Sequence, residues 1–174
     1  WLEGARRGLL RLAHDREGHK DVPPDHWALI ATARIWPYLD QADRVILIRH
    51  ARQILDFMLE EQIWLRNAAR SGFDGDGRTP PTATRLEGIL ATESLYRAQP
   101  DYPGSWGLRL LLDAQLKTDP YAGAITRAIA RIITDHPEAA KFNARATEIR
   151  IDYVQHALSA YLDYLRHIGT GNPA

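Results

Sequence analysis

Cysteine is absent from the 174 residues, which excludes disulfides, thiolate metal ligands and a thiol nucleophile. That absence leaves the compartment open. An excess of charge of either sign is also missing: 22 basic residues balance 22 acidic ones, for a net charge of +0. The chain therefore has no global attraction to nucleic acid or anionic lipid, and no nucleic-acid partner is expected. Long hydrophobic runs are lacking too. Val45-Ile46-Leu47-Ile48 is broken at Arg49, far short of the roughly 20 apolar residues that a membrane-spanning helix needs. Nor is there a Gly-x-Ser-x-Gly motif, a phosphate loop, a dinucleotide fingerprint or a His-Glu-x-x-His pair. The 7 histidines never fall one helical turn apart, so no metal site and no cofactor are expected.

What is present is helical spacing almost throughout, with no stretch of alternation long enough for a half-buried strand. The length suits one domain able to bury about 70% of the surface its unfolded chain exposes. All but three of the basic residues are arginine, a planar donor suited to carboxylates and phosphates, although GC-rich coding produces the same bias.

The spacing predicts an all-α fold of about seven helices in antiparallel hairpins. The first runs from Trp1 to about Ala13, with Leu2, Ala5, Leu9 and Leu12 on one stripe. Asp25 follows Pro23-Pro24 and is placed to cap a second helix that ends near Trp36, before Pro37. A long third helix is expected from about Ala42 to Ala69. The turn-rich Ser71-to-Arg78 loop leads to a fourth, capped by Thr79 with Pro80 at its first position. A fifth spans about Ser105 to Leu116. A sixth starts at Asp119-Pro120, carries Ile125, Ile129, Ile132 and Ile133, and ends at Pro137. The seventh, from about Ala146 to Ile168, turns Ile151, Val154, Leu158, Tyr161, Leu165 and Ile168 inward. A single domain is thus expected over residues 1–168, with a loose tail at 169–174. Because the sequence begins at Trp1 rather than methionine, it reads as the C-terminal part of something longer.

Arg85-Leu86-Glu87, with Ser94 and Tyr96 downstream, repeats as Arg150-Ile151-Asp152 with Ser159 and Tyr161 at the same offsets. Each opens a helix, a pattern expected of stacked helical hairpins. On the last helix Asp152, His156, Ser159 and Asp163 share one face. A carboxylate four residues before a histidine can orient its ring for general base work. A solvated face with a helpful ion pair explains the same spacing. Asp25-His26-Trp27 combines an acid, an imidazole and an indole, groups able to stack on and hydrogen-bond a sugar ring; a cap followed by a buried tryptophan is the structural alternative. Asp74 and Asp76 suggest a calcium loop only superficially, since an EF-hand starting at Asp74 would place Arg78 and Arg85 where oxygen ligands belong. A turn presenting Arg78 at the mouth of a cavity is the more economical reading.

The segments Asp25-to-Ala31, Thr79-to-Gly88 and Arg150-to-Ala160 resemble parts of the α/α-toroid superfamily, which includes sugar epimerases and unsaturated glucuronyl hydrolases. The resemblance spans about residues 20 to 168 and would make this chain a partial toroid of about three helical pairs. Short connections independently favour antiparallel neighbours with the second, fourth and seventh helices as the inner members of their pairs. The resemblance also implies a rim carrying Asp25, His26, Trp27, Asp74, Asp76, Arg78, Arg85 and Arg150 as substrate-binding residues, with Glu87, Asp152 and His156 as acid/base groups. A carbohydrate or glycan would be the ligand, and an upstream region or another subunit would complete the ring. The competing expectation is a non-catalytic helical scaffold for a protein partner.

Overall fold

The computed structural model describes residues 1–60, 63–64, 71–73, 76–95, 104–133 and 137–170. Asp74, Tyr96, the expected helical residues 65–69 and tail residues 171–174 lie outside the described residues, as do the side chains of Trp64 and Trp106.

The fold is all-α, with seven helices among the described residues: α1 (Leu2–Asp15), α2 (His26–Ile35), α3 (Gln41–Glu60), α4 (Thr79–Thr92), α5 (Gly104–Ala114), α6 (Pro137–Arg145) and α7 (Ile151–Thr170). Two single 3₁₀ turns, Trp36–Tyr38 and Glu93–Leu95, extend α2 and α4. No described helix is long and apolar enough to cross a membrane. The middle of the molecule is α4, which packs chiefly against α7 on one side and α2 on the other. Leu29, Leu47, Ile54, Met58, Leu86, Ile89, Leu110 and Leu111 are fully buried around it. Close approach of α2 is possible because Gly88 has no side chain. A Cβ there would lie 2.8 Å from the His26 Cα, so the start of α2 rests directly on α4.

Local chemistry sets the helix ends. The Asp25 carboxylate accepts from the Ala28 N–H at 3.0 Å, capping α2 as expected, and also accepts from Arg16 at 3.0 Å. Asp40 does the same for the Asp43 N–H at the start of α3. Thr79 behaves differently from the cap expected of it. It lies inside the helix, and its hydroxyl donates to the Thr126 carbonyl at 2.6 Å.

Three expectations need correction. The sixth helix does not form at 120–133. Gly123 has φ 89°, and the segment after it runs extended. Arg78 bridges to Ala128, Gln115 to Ile125 and Thr126 to Ile149. The isoleucines have helical spacing, but their branched side chains suit extended backbone, and Ile125 is buried while Ile133 is 99% exposed. Pro137 opens α6 rather than ending a helix, since the first helical position has no N–H to satisfy. The third helix stops at Glu60, and Ile63–Trp64 pairs antiparallel with Ser71–Gly72.

A further correction concerns α7. Ile151, Leu158 and Leu165 are exposed, whereas Tyr153, Ala157 and Ala160 are buried. Small alanines let α7 sit close to α4, leaving the leucines outside. Helix α7 also continues through Gly169 to Thr170, past the boundary expected at 168.

The extended segment has a structural role. The Thr79 N–H donates to Arg127 O at 2.9 Å, the Arg127 N–H to Glu148 O at 2.8 Å, and the Ala128 N–H to Ala146 O at 3.0 Å. One strap therefore ties the start of α4 to the turn before α7. Both helices set out from the same strap, which fixes the register between Glu87 and His156.

Candidate functional site

Glu87, His26 and His156 come from α4, α2 and α7 and meet where those three helices converge. Glu87 is 6% exposed, and its Oε2 lies 2.8 Å from His156 Nδ1. Burial of an acid on a helix otherwise lined with Leu86, Ile89 and Leu90 is costly unless a partner is supplied, and the imidazole supplies it. The His26 ring meets the His156 ring edge-on at 5.7 Å between centroids. Its Nε2 is buried without a hydrogen-bond partner. Burial pushes the His26 pKa below its ordinary value; Glu87 pulls it back, and His156 adds to the lowering.

Trp27 completes the arrangement. Its indole is 59% exposed, tilted against His26 at 4.8 Å and facing His156 at 6.4 Å. The indole is free at the rim because α2 turns Ala28 and Leu29 inward instead. The result is a surface site with an aromatic wall, two imidazoles and a buried carboxylate floor. It offers a stacking face, a hydrogen-bonding carboxylate–imidazole dyad able to move a proton, and three metal-ligating atoms lying within 4.8 Å of one another.

The other sequence-named residues lie elsewhere. Asp152 pairs with Arg150 at 3.1 Å on the outer start of α7, and Arg150 also lies over the Tyr153 ring. The acid at His156 is thus Glu87 of another helix, not Asp152 four residues earlier. Asp25 is occupied by the α2 cap and Arg16. Arg85 donates to the Phe73 carbonyl at 2.7 Å, anchoring the loop before α4. Asp76 and Arg78 pair at 3.0 Å and line a separate cavity of about 420 Å³ together with Arg127 and Phe142. Of the residues named from sequence, the structure brings together His26, Trp27, Glu87 and His156.

Sequence reasoning missed Gly88 as a positioning residue. Its signal was a glycine inside a strongly helical segment, directly after the acid. Comparison with protein-family models, with curated proteins and with solved structures finds no match to this chain.

Proposed function

We propose that this chain is a partial α/α-toroid domain that binds a carbohydrate at the surface site beside Trp27. The Glu87–His156 dyad then exchanges a proton with a bound hydroxyl or glycosidic oxygen. The observation carrying this reading is the exposed Trp27 indole held against two imidazoles above a buried carboxylate. A sugar ring has an apolar C–H face that packs on an aromatic plane and a hydroxyl edge that needs hydrogen bonds, and the indole and the carboxylate–imidazole pair offer both. Within the dyad, Glu87 orients the His156 ring through Nδ1, leaving the other ring nitrogen for proton transfer.

The toroid part of the reading is supported by the adjacency of α2, α4 and α7, the helices expected to form the inner layer. It is supported also by the apolar stripe Ile151, Leu158, Leu162 and Leu165 on the outside of α7, a surface that an upstream region or another subunit would cover. The same stripe favours the second reading, a scaffold that docks a protein partner.

Thermal-shift and tryptophan-fluorescence titrations with neutral and uronic mono- and oligosaccharides test the first reading. Saturable binding is expected, weakened more than about tenfold by Trp27→Ala, a loss of about 1.4 kcal/mol. Since the indole is mostly exposed, that variant keeps its folding stability. Glu87→Gln retains sugar binding but loses turnover of any sugar the wild type processes. No saturable binding across the panel refutes the reading, and loss of a protein partner on Leu158→Glu would then establish the scaffold.

A further inference from the structure

The buried carboxylate beneath the two imidazoles has more capacity than a proton relay uses. His156 Nδ1 and Glu87 Oε2 are 2.8 Å apart, a separation close to the roughly 3.3 Å between two ligands of a tetrahedral centre with bonds of about 2.0–2.1 Å. His26 stands at the third corner with Nε2 buried and unpartnered. Such a group costs stability while nothing meets it, and its lone pair is what a metal ion would take. One ligating atom from each of the three residues lies within 4.8 Å of the other two. Closing the widest edge needs a movement of about 1.5 Å, within the reach of a side-chain rotation at the half-exposed end of α2.

We propose that His26, Glu87 and His156 bind one divalent transition-metal ion of the zinc type, with a further coordination position open to the surface site beside Trp27. Two imidazoles and one carboxylate form a borderline nitrogen-rich set, which selects Zn²⁺ and its neighbours over Mg²⁺ or Ca²⁺ with their demand for oxygen. Three protein ligands with one open place are the pattern of reactive rather than purely structural zinc. The ligands belong to three helices already locked together, by Gly88 under His26 and by the strap between α4 and α7. The three helices therefore hold the ligands near one another before metal arrives, a side-chain rotation closes the widest edge, and binding displaces the proton held between His156 and Glu87. This inference does not rest on the carbohydrate reading.

Tag-free protein stripped with a chelator is titrated with Zn²⁺ by calorimetry and with Co²⁺ by visible absorption. The expected result is one equivalent per chain, the intense visible band of four-coordinate cobalt and a raised melting temperature. His26→Gln, Glu87→Gln and His156→Gln each weaken binding more than about tenfold, while His50→Leu, at a histidine of α3 outside the triad, leaves it unchanged. Melting curves of the metal-free variants show which are folded, and half-exposed His26→Gln serves as the test if Glu87→Gln is not. Uptake well below one equivalent overturns the proposal, as does wild-type affinity in the folded triad variants. Sugar titrations of stripped and zinc-loaded protein separate its failure from that of the carbohydrate reading.

Discussion

His50 of α3 is 3% exposed, and both of its ring nitrogens are buried without a hydrogen-bond partner. Its pKa is pushed down to about 4 from an ordinary 6.5, first by burial and then by the Arg16 cation, with Asp25 opposing weakly. Between those two values the unfolded chain binds a proton that the folded chain refuses. Stability therefore falls as the pH drops through 6.5 and stops falling, for this residue, near 4. The full shift corresponds to about 3 kcal/mol, of which about 2 kcal/mol is already lost at pH 5. Urea unfolding of the wild type and of His50→Leu at pH 7 and pH 5 measures the effect. Leucine fills similar space with no polar atoms, so the variant should match or exceed the wild type at pH 7. Between the two pH values it should lose about 2 kcal/mol less than the wild type. Equal losses in the two proteins would refute the argument. An ordinary His50 titration in the folded state, followed by NMR, would refute it independently.

Gly88→Ala forces the new Cβ against the His26 backbone at 2.8 Å, and should cost about 1–3 kcal/mol through overpacking. A shifted His26 ring resonance in that variant would show that the glycine positions the site as well as stabilising the fold. Asp25→Ala removes the α2 cap and the Arg16 contact, and should cost about 1–2 kcal/mol in thermal or urea unfolding. Sugar affinity of the folded protein should be retained, because the Asp25 carboxylate is spent on Ala28 and Arg16; a selective loss of affinity at normal stability would instead place Asp25 in contact with ligand.

Where one local interaction settles the structure, the sequence was enough to read it. Asp25 before an apolar helix could satisfy its first-turn N–H groups in few other ways, and Pro37 could only disturb a continuing helix. Where the outcome depends on which neighbour arrives, local pattern misled. Ile125, Ile129, Ile132 and Ile133 fit a helical stripe, yet the segment runs instead as a strap that accepts from the first N–H of α4 and donates to carbonyls of the turn before α7. On α7 the largest apolar residues suggested the inner face, but the close approach of α4 favoured Ala157 and Ala160 over Leu158 and Leu165.

His156 shows the same division at the level of chemistry. The rule that residues four apart on a helix are neighbours is sound, and it nominated Asp152 as the acid beside His156. Two facts outweigh it. Asp152 lies in the first turn of α7, where Arg150, two residues earlier, pairs with it and the pair remains about half exposed. Glu87 is buried on the facing helix, with a far greater need for a partner, and a hydrogen bond between two desolvated groups is worth more than one made in water. The buried acid therefore takes the histidine. A ligand set assembled across α2, α4 and α7 leaves no spacing motif in the chain, which is why the absence of a His-Glu-x-x-His pair could not decide whether metal-binding geometry exists. What the chain does carry is Gly88, where the missing side chain lets the start of α2 rest on α4 and brings His26 near the acid beside it.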